Sequence, residues 1–195
     1  EDMRGVVLAP GFVDSHTHVV FGGSRAREYA ARLTHTKAEV AAMGIPTGIV
    51  ATMDMTRRAS EEELGDSAAR RLRAMLRAGT TTVESKSGYG LSLAHELKML
   101  RVNRRLPELV PVDVVSTFLG GHAFPPGVEK RAYVDEIVEE MIPAVAAEGL
   151  AEFCAVYIDE GYFDLPQTRR ILLAAREAGL KLKIHADQYS SLGGS

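Results

Sequence analysis

The feature that most restricts what this chain can fold into is a repeated unit: a helix-patterned stretch, a glycine, then a short apolar run. Residues 60–78 begin with Ser60 and Glu63 at capping-box spacing and carry Leu64, Ala68, Leu72, Met75 and Leu76 at helical intervals. Gly79 ends that stretch, and Thr80-Thr81-Thr82-Val83 follows as β-branched strand sequence. The unit recurs as residues 133–148, Gly149 and 153–157, and again as 167–178, Gly179 and 182–184. A helix over 93–105 leads through Pro107 and Pro111 to a strand over 112–118, and residues 6–13 read as an opening strand. Strands that alternate with helices of this length predict βα units around a parallel sheet, an α/β fold. Five strands are expected, at 12–15, 81–84, 112–118, 153–157 and 182–184. The long excursion between the first two, residues 21–59, reads as a loop plus a helix, and such an insertion after a strand is often functional.

Composition sets the outer limits. A chain of 195 residues with 46% hydrophobic and 25% charged residues is ordinary for one globular domain. A net charge of −3 gives no reason to expect nucleic acid or an anionic membrane as partner, and a small-molecule substrate is the partner expected. No apolar run approaches the ~18–20 residues of a membrane span, and the opening Glu-Asp-Met-Arg is not a secretory signal. The single cysteine, Cys154, lies within a strand and reads as core, which fits a reducing, cytoplasmic setting.

The chemistry gathers at strand ends. His16 and His18 follow the apolar Gly11-Phe12-Val13, and on an extended chain residues i and i+2 face the same way. Two imidazoles at the C-terminal end of a parallel strand are the usual start of a Zn or Fe site; the other reading is a pair of surface or capping histidines. His185 ends the fifth strand and is a third candidate ligand, or a satisfied polar group. His122 closes Phe118-Leu119-Gly120-Gly121-His122, where two glycines would let a substrate approach the backbone; a plain loop histidine is the alternative. Ser85-Lys86-Ser87-Gly88-Tyr89-Gly90 ends the second strand with hydroxyls, a cation and a tyrosine suited to an anionic substrate, although Gly-Tyr-Gly is also a common turn. Arg25, near the histidine pair, reads as a carboxylate clamp or as an exposed residue at a helix start. Asp159 and Glu160 end the fourth strand as structural acids, and His35 and His95 look like surface residues.

Together these segments resemble the amidohydrolase superfamily and, within it, the imidazolonepropionase family. The motifs are Pro10-Gly11-Phe12-Val13-Asp14-Ser15-His16-Thr17-His18, Phe21-Gly22-Gly23-Ser24-Arg25, Thr82-Val83-Glu84-Ser85-Lys86-Ser87-Gly88-Tyr89-Gly90-Leu91, Thr117-Phe118-Leu119-Gly120-Gly121-His122-Ala123 and Lys183-Ile184-His185-Ala186-Asp187-Gln188. The first marks only the superfamily; the Lys-Ser-Gly-Tyr-Gly and Phe-Leu-Gly-x-His segments are far more specific. The resemblance implies a partial TIM (β/α)8 barrel of the metal-dependent amidohydrolase type, about five of eight βα units. Residues 1–195 would be an incomplete barrel domain, with strands 6–8 and a flanking small β domain lying outside them. It implies one divalent metal, Zn or Fe, on His16, His18 and His185. Arg25 and Tyr89 would bind a propionate carboxylate, His122 would contact the ring carbonyl, and Gln188 falls at a catalytic, proton-handling position. The implied reaction opens a cyclic amide C–N bond, converting 4-imidazolone-5-propanoate to N-formimino-glutamate in histidine degradation, and the implied assembly is a homodimer. One departure bears on the pocket. The family's tyrosine and Gly-Gly-Gly-Ile stretch are replaced here by Thr36-Lys37-Ala38-Glu39-Val40 and Gly44-Ile45-Pro46-Thr47-Gly48-Ile49. An aminohydrolase of another nitrogen heterocycle, or an inactive partial barrel, are therefore the alternatives.

Overall fold

The computed structural model describes residue 5 and residues 7–194. Its centre is a five-stranded parallel sheet with strands in chain order. These are β1 (Phe12–Thr17), β2 (Thr80–Lys86), β3 (Asp113–Gly121), β4 (Phe153–Tyr157) and β5 (Lys181–His185). Each successive pair is parallel and adjacent, for example Ser85 against Ser116 and Tyr157 against His185, so every strand ends on the same rim. The part of the expected opening strand at Val6 lies outside the described residues, and Val7 and Leu8 are exposed and irregular. Pairing begins at Phe12, whose amide donates to Gly79 O at 2.8 Å.

Between β1 and β2 the chain forms four helices: α1 (Ala26–Arg32), α2 (Lys37–Ala42), α3 (Gly48–Arg58) and α4 (Glu61–Arg77). Three of them stand where a loop plus one helix was expected. Thr36 and Glu39 close a capping box that starts α2, and Gly44 and Gly48, at φ +65° and +73°, turn the chain between short pieces. Ser60 and Glu63 form the expected capping box of α4. The later helices are α5 (Leu93–Leu109), α6 (Lys130–Glu136), α7 (Ile142–Ala147) and α8 (Leu165–Glu177). α5 contains Pro107 and ends two residues beyond it, at Leu109. α6 and α7 are joined by a π-turn over Ile137–Met141, just ahead of Pro143, whose missing N–H leaves a carbonyl to be satisfied by wider winding.

The helices cover one face of the sheet in two clusters. Leu64 and Leu72 of α4 and Met99 and Leu106 of α5 close over Val83, while Leu100, Tyr133, Ile137, Met141 and Ile171 close over Phe118 and Val156. Cys154 is a free, buried core residue, as expected. The other face is concave. Lys183 of β5 donates to the Glu84 carboxylate of β2 at 2.6 Å, and the rings of His16 and His185 are 5.1 Å apart although β1 and β5 are the two edges. A flat sheet of five strands would separate its edges by roughly four strand spacings, about 19 Å. The sheet is therefore curled, and the chain forms a partial (β/α) barrel that is open between β5 and β1.

Candidate active site

The rim at the strand C-termini gathers most of the residues singled out from the sequence. His16 and His18 do project to the same side, but to different neighbours. His16 meets His185 edge-on at 5.1 Å, and His18 stacks on His122 with ring centres 5.0 Å apart and planes 18° apart. Tyr89 closes the second pair, 4.8 Å from His18 and 5.2 Å from His122. Tyr157, the last residue of β4, joins the two halves, 4.5 Å from His185 and 6.3 Å from His122. Sequence reasoning passed over Tyr157, although its place at a strand end was the available signal.

His122 is buried, and its Nδ1 lies 2.9 Å from Gly88 O. A carbonyl can only accept, so Nδ1 carries the proton and the neutral ring keeps Nε2 as an acceptor. Burial pushes the His122 pKa down to about 4 and the His18 pKa well below its ordinary value; burial lowers His16 in the same direction. All three are neutral at pH 7, the form that ligates metals. The glycines ahead of His122 have a different task from the one expected. A Cβ on Gly120 would strike the Phe118 ring, and one on Gly121 would press on Val156 at 3.1 Å, so both serve packing rather than substrate approach.

The end of β2 and the turn that follows it are likewise mostly self-engaged. Ser85 donates to Asn103 Oδ1 at 2.7 Å, and Ser87 Oγ accepts from Leu119 N at 3.0 Å. Lys86 is buried and paired with Glu84, which also accepts from Thr117 Oγ1 at 2.6 Å and from Lys183. The hydroxyls and cation expected to meet an anionic substrate are thus committed within the protein, and Tyr89 remains. Its loop is held by Glu96 of α5, a fully buried carboxylate that accepts from the amides of Gly88, Gly90 and Leu91 at 2.7–3.0 Å. Burial raises the Glu96 pKa against the opposing effect of these hydrogen bonds.

Arg25 sits just ahead of α1 and donates from Nε to the buried Glu28 carboxylate at 2.6 Å. With His18, Phe21, Thr52, Met55 and Tyr89 it lines a cavity of about 240 Å³. Burial raises the Tyr89 pKa, keeping its hydroxyl protonated as a donor beside the Arg25 guanidinium. At the opposite side, Gln188 Oε1 lies 2.7 Å from His185 Nε2, so the amide accepts from the imidazole. Asp159 is structural: it accepts from Tyr157 Oη at 3.1 Å and from Tyr189 N at 3.0 Å, tying down the segment after β5. His95 is half-buried on α5 and takes no part in the cluster.

Whether these side chains suit a metal can be judged from the cluster itself. Among the described residues no group of three or more His, Cys, Asp or Glu is gathered closely enough to hold an ion. The donor type nevertheless fits: His16 and His18 are neutral, and His18 Nδ1 is buried without a hydrogen-bond partner. His16, His18 and His185 suit a divalent ion in kind, with His18 turned towards His122 rather than towards the other two.

A curled parallel sheet with four histidines on its C-terminal rim defines a partial (β/α) barrel with its candidate site where the strands end. No protein-family model matches the chain. Over its whole length it is 49% identical to an imidazolonepropionase of Pseudomonas fluorescens, and 51% identical to those of Caulobacter sp. and Symbiobacterium thermophilum. By sequence the chain is thus similar to imidazolonepropionases from end to end. It spans about half the length of these relatives, 46–49% of each. Among solved structures, a mandelate racemase/muconate lactonizing protein from Herpetosiphon aurantiacus aligns at a TM-score of 0.27 and 16% identity, over 81% of this chain and 59% of that one, too loosely to bear on the fold.

Proposed function

We propose that residues 1–195 supply strands 1–5 of the barrel of a hydrolase that opens the ring C–N bond of 4-imidazolone-5-propanoate, giving N-formimino-glutamate. One observation carries this reading: a single small cavity brings the Arg25 cation and the neutral Tyr89 hydroxyl to His18, beside His122. A carboxylate on a short arm fits the first two groups, and a flat nitrogen heterocycle fits against the imidazoles. Arg25 supplies charge and Tyr89 a hydrogen bond, which orients the ring at the histidine cluster. His122 stays neutral and, with Nδ1 on Gly88 O, offers Nε2 as an acceptor. That suits a ring N–H; the ring carbonyl contact implied by the family resemblance would need a protonated Nε2. His16, His18 and His185 would hold one divalent Zn or Fe, and when bound that ion supplies Lewis acidity at neutral pH. Gln188 cannot take up a proton as a carboxylate would; it orients His185 through their hydrogen bond. A cytoplasmic setting and a dimer of the whole enzyme complete the proposal; among the described residues no helix is long and apolar enough to cross a membrane.

Calorimetric titration with imidazole-4-propanoate, a stable mimic of the substrate's shape, tests the pocket assignment. Binding that weakens at least roughly tenfold in both Arg25→Gln and Tyr89→Ala supports it. Equal affinity in wild type and both variants would remove the carboxylate site from this cavity. A second reading is favoured by the open barrel between β5 and β1: that the 195 residues alone bind the ligand without turning it over.

A further inference from the structure

Met55 of α3 borders two cavities. The inner one is the pocket of Arg25 and Tyr89, about 240 Å³; the outer is a groove of about 650 Å³ between α3 and α4, with Arg58, Glu63 and Arg70 on its walls. Among the described residues only Gly22 and Met55 line both, and glycine has no side chain, so Met55 is the one described side chain common to the two. The contact is close. A Cβ on Gly22 would run into the Met55 backbone carbonyl, and one on Gly23 would overlap Met55 Sδ. Gly23 also has φ +67°, a conformation that favours glycine, so the loop after β1 lies flat on Met55 as no other residue type would allow.

We propose that Met55 is a specificity-determining residue: its thioether is the partition that closes the inner pocket behind the ligand's carboxylate arm and limits the length of that arm. Beyond Cβ, methionine places three heavy atoms in the gap, and their removal joins the inner pocket to the charged outer groove. A longer arm would then extend past Arg25 towards Arg58 and Arg70. The inference rests on reading the inner pocket as a carboxylate-arm site, and the test separates the two.

The probes are imidazole-4-propanoate and imidazole-4-pentanoate, titrated calorimetrically into wild type, Met55→Ala and the volume-conserving Met55→Leu, each checked for folding by circular dichroism. Wild type and Met55→Leu should favour the propanoate by roughly tenfold or more, the discrimination a tight apolar wall gives per added methylene. Met55→Ala should bring the pentanoate level with the propanoate or ahead of it. If Met55→Ala does not fold, Met55→Val carries the same expectation with a smaller shift. Binding of the propanoate with an unchanged preference in the truncated variant overturns the partition and leaves the pocket assignment standing. Failure of wild type to bind either probe overturns the pocket assignment, and the partition with it.

Discussion

Lys183 on β5 donates to Glu84 on β2 at 2.6 Å, across the concave face of the sheet and 99 residues apart in the chain. The same carboxylate is paired with Lys86 and accepts from Thr117. One acid therefore ties β2, β3 and β5 together beneath the histidine rim and fixes the curl that brings His185 to His16.

Glu84→Gln should be among the most destabilising single changes in this chain. It leaves Lys86, only 4% exposed, without its counter-charge. Breaking a buried pair from one side costs about 3–5 kcal/mol. Urea unfolding measures this directly. Lys183→Met should cost far less, since that side chain is 31% exposed.

Glu96→Gln should loosen the loop that carries Tyr89. The variant replaces one carboxylate oxygen with an NH2 group facing backbone donors, so at least one of the Gly88, Gly90 and Leu91 amides loses its acceptor. Hydrogen exchange read by mass spectrometry should show faster exchange over residues 88–91, and imidazole-4-propanoate should bind more weakly. Unchanged protection there would mean that Glu96 does not hold the loop.

Acid should destabilise the metal-free chain through its buried histidines. The folded-state pKa of His122 is about 4, and that of His18 is also lowered, against about 6.5 unfolded. Between pH 6.5 and about 4 the unfolded chain binds protons that the folded chain refuses, so stability falls as pH drops through that window. The His122 shift alone is worth roughly 3 kcal/mol at the lower end. Urea unfolding at stepped pH should show the decline, and His122→Asn should flatten it.

The open barrel should associate with itself. Among the described residues β1 and β5 each have an unpaired edge, and Phe12 and Val13 on the first are 68% and 67% exposed. Sedimentation should show dimers or larger species at micromolar concentration. A stable, monodisperse monomer would mean that these edges are protected in some other way.

The sheet and the rim were legible in the sequence for a common reason. Both depend on local patterns: a capping box or a left-handed glycine brackets α2, α4, α7 and α8, and residues at i and i+2 of a strand end share a face. That is enough to predict all five strands and to put His16, His18, His122 and His185 at one end of the sheet. What stayed hidden depends on partners distant in the chain. Ser85 and Ser87 look like substrate ligands until Asn103 and Leu119 take them, and Gly120 looks open until the Phe118 ring fills its space. Glu84 and Lys183 were visible only as charges within apolar strands. The short helices between residues 21 and 59 were missed because α1 and α2, at seven and six residues, are too brief to show a helical period.

The central claim is that the histidine rim and the Arg25–Tyr89 pocket together form the centre of an imidazolone-opening hydrolase. The most direct test incubates the whole enzyme in which the proposal places these residues, supplied with Zn or Fe, with 4-imidazolone-5-propanoate, and follows N-formimino-glutamate by mass spectrometry. The proposed function predicts product formation that falls at least roughly a hundredfold in His16→Ala, His122→Ala and Arg25→Gln. No product above the buffer control, from protein that is folded and carries the metal, would contradict it.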